Sequence, residues 1–175
     1  IPENYSVKRD GIKLMVMGRI KRGGTGCYCP EGTLLQSLVN HLLLARNEVV
    51  ILDMEAGIEH LGRATAQAVD KLVVVVEPGR RSLETAHTVK QLAQDIGLSN
   101  IAVVANKVRS QSDREFLQTT LKSFDFIGFI PFDQAVVDAD QANLSILDSS
   151  KPVRDEVQGI YKILLSSVEE KIKLS

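Results

Sequence analysis

Cys27 and Cys29 are the only cysteines in the chain, and they stand one residue apart in the glycine-rich stretch GGTGCYCPEG, residues 23–32. Two thiols at this spacing can both ligate a soft metal, and Gly23, Gly24 and Gly26 leave the backbone free to turn them to the same side. A structural zinc site wants four ligands. There is no third cysteine, and His41, His60 and His87 fall in or beside predicted helices with no motif joining them to the pair. Two chains meeting about a two-fold axis at this turn would supply four sulfurs, a tetrahedral set needing no other residue. The competing reading is a pair of buried or idle reduced thiols. A disulfide between them would close a small, strained ring.

Two further strings carry chemistry at the ends of apolar runs. VVILDMEAG ends a hydrophobic segment in Asp53, followed by Gly57. A carboxylate there can hold a magnesium-bound water, and a nearby glycine lets backbone approach a γ-phosphate; an ordinary loop start has the same look. VVANKV places Asn106 and Lys107 at another such end. The asparagine amide can pair with a purine edge while the lysine stem lies along the ring, or the two simply cap a strand. A near match to the phosphate-binding loop G-x-x-x-x-G-K-[ST] runs from Gly18 to Thr25, but Gly24 stands in the lysine position and Pro30 delays the next helix. Without that cation the loop loses its main charge contact to the β- and γ-phosphates.

The elements that must position these residues read as strands buried on both faces: residues 13–20, 49–54, 71–78 and 101–108, with 126–133 a shorter fifth. Continuous apolar runs without strict alternation suit a parallel sheet covered on both sides. Helical periodicity fills the gaps, over residues 31–46 through Leu34, Leu35, Leu38, Val39, Leu42 and Leu43, and over 83–96 through Ala86, Val89, Leu92, Ala93 and Ile96. The alternation predicts a three-layer, doubly wound, mostly parallel α/β sheet flanked by helices, over a single domain of residues 1–175. Ligands of such a fold bind beyond the carboxyl ends of the strands. Residues 152–174 predict a closing helix with Val153, Val157, Ile160, Ile163, Leu164, Val168 and Ile172 on one side. Its mixed charge favours packing on the sheet over a membrane-surface role.

With 44% hydrophobic residues the chain has material for a core, and 21 Lys and Arg against 22 Asp and Glu give no basic field to draw it to nucleic acid. No apolar run is long enough to span a bilayer, and IPENYSVKRDG lacks the pattern of a secretion signal, so a cytoplasmic protein without a membrane partner is expected.

Taken together and in order, MVMGRIKRGGTGCYCPEG, VVILDMEAGIEHLGR, VVVVEPGRRSLETA and VVANKV resemble the CooC-type carbon monoxide dehydrogenase accessory ATPases, within the MinD and nitrogenase iron protein class of P-loop NTPases. The likeness runs from the first residue through the Phe132 region, and C-x-C-P followed by D-x-E-A-G-x-E-H is its most specific part. It implies a homodimer that sandwiches ATP, holds nickel or zinc through Cys27 and Cys29 at the dimer interface, and assists nickel insertion into its client, carbon monoxide dehydrogenase. It also implies Asp53 as the acidic residue near magnesium, Gly57 as the switch glycine, and Asn106 with Lys107, Pro131 and Phe132 as the adenine pocket for ATP or ADP. Members of that class open with a strand and a lysine-bearing P-loop, and neither occurs in this chain. On that reading the chain alone does not hydrolyse ATP, and the missing initiator methionine favours the carboxyl-terminal part of a longer ATPase. The alternative is a non-catalytic module for metal-dependent dimerisation or partner binding. A positioning ATPase of the MinD kind would need the terminal helix to bind lipid.

Overall fold

Val74, Val76, Val103 and Ala105 turn one face of a three-stranded parallel sheet into a buried apolar surface. The computed structural model describes residues 6–16, 49–54 and 69–174, with the side chains of the last helix followed to residue 166. It divides into two compact units, Ile1–Val69 and Asp70–Ser175.

In the second unit, β3 (Leu72–Val76), β4 (Ile101–Val108) and β5 (Asp125–Pro131) pair in the order β3-β4-β5, all parallel. Parallel neighbours need long crossovers, which α1 (Arg80–Asp95) and α2 (Gln111–Thr120) provide. Leu83 and Ala86 of α1 and Leu117 of α2 pack on the face bearing Val74 and Val103, with Leu121 and Phe124 closing the layer. Ala102, Val104 and Ile127 point to the opposite face and meet Ile160 of the closing helix. Because β4 is central and covered on both sides, Ala102 through Ala105 are all buried, the physical basis of its unbroken apolar run.

Local chemistry sets the boundaries. α1 ends at Gly97, whose φ of +86° allows the Leu98 N–H to reach Ala93 O at 2.8 Å and the Gly97 N–H to reach Gln94 O at 2.9 Å. α2 starts at Ser110, whose hydroxyl accepts the Asp113 N–H at 3.2 Å, while Asp113 Oδ2 accepts the Arg109 N–H at 2.9 Å. After β5 come α3 (Gln134–Gln141), the single-turn α4 (Ile146–Ser149) and α5 (Lys151–Leu174). The predicted packing of the terminal helix holds for Val153 and Ile160, which are buried, and Leu164, which packs against the sheet; Ile163 is 44% exposed. Glu156 of α5 accepts the Phe129 N–H at 2.7 Å, so the outer strand β5 has that backbone donor satisfied by a side chain.

The first unit departs from the sequence expectation. Residues 13 and 14 belong not to a buried parallel strand but to an exposed antiparallel hairpin of β1 (Val7–Arg9) and β2 (Ile12–Leu14). Its turn is Asp10-Gly11, both at positive φ, the backbone that matches strand twist in a two-residue hairpin loop. Residues 49–54 form no strand, and Val49 and Ile51 are 66% and 85% exposed. An apolar run becomes a strand only when a neighbour takes its backbone hydrogen bonds, and no described residue does so here. The predicted helix over 31–46 lies outside the described residues.

Candidate functional site

The carboxyl ends of β4 and β5 carry the predicted base-binding residues, and their geometry begins with a fault in the ladder. Ala105 pairs with Phe129 and Val108 with Pro131, so β4 advances three residues while β5 advances two. The extra residue bulges out of the sheet at Asn106-Lys107, and Lys107 takes the left-handed conformation at φ +55°. Its N–H points back to Asn106 Oδ1 at 3.0 Å. That bond engages Oδ1 and leaves Nδ2 of Asn106 without an acceptor among the described residues. Beyond the bulge the strands rejoin: the Phe132 N–H donates to Val108 O at 2.9 Å. Asn106, Lys107, Pro131 and Phe132 are thereby brought to neighbouring strand ends.

An open cleft of about 310 Å³ lies beside them, between Val108, Arg109, Ser110, Gln111, Arg114, Phe129 and Pro131. Its walls are flat. The Arg109 guanidinium sits 4.7 Å from the Phe132 ring centre and that of Arg114 4.0 Å from Phe129, which is itself stacked on Phe126 at 5.0 Å. Guanidinium and aromatic planes of this kind suit a planar heterocycle, and every guanidinium N–H is a donor. Neither guanidinium has a carboxylate partner among the described residues.

Two residues outside the sequence-derived set shape this end of the sheet. Glu77, just past β3, pairs through Oε1 with Lys107 Nζ at 2.6 Å and donates its backbone N–H to Ser82 Oγ of α1 at 3.0 Å. The one sequence sign of Glu77 is an acid closing the apolar run LVVVV. Asp133 follows Phe132, accepts the Ala135 N–H at 2.9 Å and receives the hydroxyl of buried Ser150 at 2.5 Å. The Ser150 hydrogen bond first, and the Ala135 N–H second, hold the Asp133 carboxyl below its ordinary 3.8.

Asp53 lies exposed in residues 49–54, within the first unit. Gly57, Cys27 and Cys29 lie outside the described residues. Among the described residues no three His, Cys, Asp or Glu side chains gather as a metal site, and no helix is long and apolar enough to cross a membrane.

No protein-family model matches the chain. Among solved structures, the MinD cell division protein of Aquifex aeolicus superposes with a TM-score of 0.65 at 23% identity, covering 77% of this chain and 61% of that one. MinD in the MinC:MinD complex of the same organism gives 0.62 at 21% identity, over 77% and 59%. With its parallel sheet flanked by helices, the chain has a P-loop NTPase-like α/β fold similar to that of MinD. In sequence it is 48% identical over 168 residues to the carbon monoxide dehydrogenase accessory protein CooC of Rhodospirillum rubrum, covering 96% of this chain and 64% of CooC. An uncharacterised ATP-binding protein of Methanocaldococcus jannaschii is 44% identical, covering 93% of this chain and 64% of its own length. The chain thus spans about two thirds of the length of these relatives, 64% in each case.

Proposed function

We propose that this chain belongs to an ATP-dependent metallochaperone that assists nickel insertion into carbon monoxide dehydrogenase and works as a homodimer. The observation that carries the reading is the 48% identity to CooC over nearly the whole chain. ATP, when bound with magnesium, supplies hydrolysis of a phosphoanhydride bond to drive a change of state. The chain's own residues then have distinct tasks. Asn106 donates from Nδ2 to a ring nitrogen of the adenine, and the Lys107 stem and the Pro131-Phe132 turn border the base. Asp53 orients a water of the magnesium shell, and Gly57 lets the backbone after it follow the γ-phosphate.

Nickel, or zinc in its place, is cargo for Cys27 and Cys29, whose thiolates form half of a four-sulfur site completed by the second copy. A site needing both copies in register couples metal affinity to the closure of the dimer, and closure to the nucleotide. The test is metal content and solution mass, for the chain and for Cys27→Ser/Cys29→Ser, with zinc or nickel supplied under reducing conditions. One metal per two chains, with the dimer lost in the double variant, supports the reading; no metal, or a mass indifferent to the substitutions, defeats the shared site.

A second reading draws on Gly24, which stands where a phosphate-loop lysine would be. On it the chain is a non-catalytic module that dimerises on metal or docks a partner without turning over nucleotide. Metal-dependent dimerisation with no affinity for ATP would favour it.

A further inference from the structure

Glu77 and Asn106 each sit one position past the last pair of the β3–β4 ladder, Val76 opposite Ala105. Lys107 connects them. It occupies a left-handed backbone that residues bearing a side chain disfavour, and two contacts hold it there: its N–H on Asn106 Oδ1 at 3.0 Å and its Nζ on Glu77 Oε1 at 2.6 Å. Glu77 is anchored in turn, because its own N–H donates to Ser82 Oγ in the first turn of α1. The relay therefore runs from α1 through Glu77 and Lys107 to the amide of Asn106. With Oδ1 engaged by the Lys107 N–H, the amide has both Nδ2 protons left to donate.

We propose that Glu77 is a positioning residue that fixes the orientation of the Asn106 amide by clamping Lys107 in its left-handed conformation. The proposal rests on the reading of Asn106 as a base-binding residue. The Glu77 and Lys107 side chains are 51% and 56% exposed, and an ion pair this wet adds little stability of its own. Its consequence is geometric: without the carboxylate, Lys107 relaxes toward ordinary backbone angles, its N–H leaves Oδ1 and the amide is free to turn.

The experiment compares the chain with Glu77→Gln, Lys107→Gly and the double variant by two readouts. One is the side-chain amide resonance of Asn106 in nitrogen-15 spectra without nucleotide. The other is affinity for a fluorescent methylanthraniloyl ADP. Glu77→Gln is expected to move the Asn106 resonance and to weaken binding about threefold, the size of one exposed ion pair. Glycine adopts the left-handed backbone freely, so Lys107→Gly keeps the Asn106 resonance in place and removes all dependence on Glu77. An unmoved Asn106 resonance in Glu77→Gln overturns the proposal, as does an equal loss of affinity in both backgrounds. If the folded chain binds no labelled ADP although the resonance moves, the base-binding reading fails and Glu77 is left as a purely structural support.

Discussion

Ser150 joins the turn after β5 to the start of the closing helix: its hydroxyl donates to Asp133 Oδ2 at 2.5 Å and accepts the Val153 N–H at 3.3 Å. One buried side chain thus satisfies a buried first-turn donor of α5 and braces the carboxylate that caps α3. Because Asp133 directly follows Pro131 and Phe132, the proposed base-binding turn is held to α5 through this pair.

Ser150→Ala is expected to destabilise the chain by about 1 to 2 kcal/mol, the combined scale of a lost helix cap and a lost buried hydrogen bond. Urea unfolding followed by circular dichroism measures it. Unchanged stability would mean that Val153 and Asp133 find other partners at no cost.

The same pair makes stability depend on pH in a defined direction. The folded-state value of Asp133 lies below that of the unfolded chain, so its contribution is complete above the ordinary carboxylate range and disappears as pH falls through the folded value. Titration of the Asp133 carboxyl carbon by NMR is expected to give a midpoint below 3.8, returning toward that value in Ser150→Ala. A midpoint at or above 3.8 in the unaltered chain would contradict the geometry.

Gly128 is the contact point between β5 and α5. A Cβ there would lie 2.3 Å from Cγ1 and 2.5 Å from Cδ1 of Ile160, which is buried. Gly128→Ala is expected to cost about 1 to 3 kcal/mol by overpacking. Adding Ile160→Ala removes both clashing atoms, so thermal denaturation should show the double variant losing less than the two single losses combined.

Asn106→Ala removes the Nδ2 donors and leaves the Lys107 N–H without its acceptor. Affinity for adenine nucleotide is expected to fall roughly five- to tenfold, the scale of one net hydrogen bond, with the fold intact by circular dichroism. Equal binding by the variant would remove Asn106 from the pocket.

The three strands of the parallel sheet are legible in the sequence because each is a continuous apolar run, Val-rich in β3 and β4 and built on Phe and Ile in β5, although only the central β4 is buried on both faces and Val75 of β3 is 59% exposed. The runs over residues 13–20 and 49–54 are also largely apolar and have a different outcome in the residues described. Periodicity reports that a segment is apolar; it does not report whether a neighbour is in register to accept its hydrogen bonds. The β1–β2 hairpin had a usable sign in Asp10-Gly11, the dipeptide that suits a two-residue loop with positive φ at both positions.

By itself the sequence determined the class of the fold, the placement of Asn106 and Pro131 at strand ends, and the C-x-C pair at residues 27 and 29, because each is written in contiguous residues or in local spacing. Only the tertiary structure decided that Glu77 meets Lys107 from 30 positions away, and that Ser150 meets Asp133 from 17. Such pairings arise when parallel strands bring their carboxyl ends side by side and a closing helix returns to the sheet, and no local pattern encodes a distance between segments that fold independently along the chain.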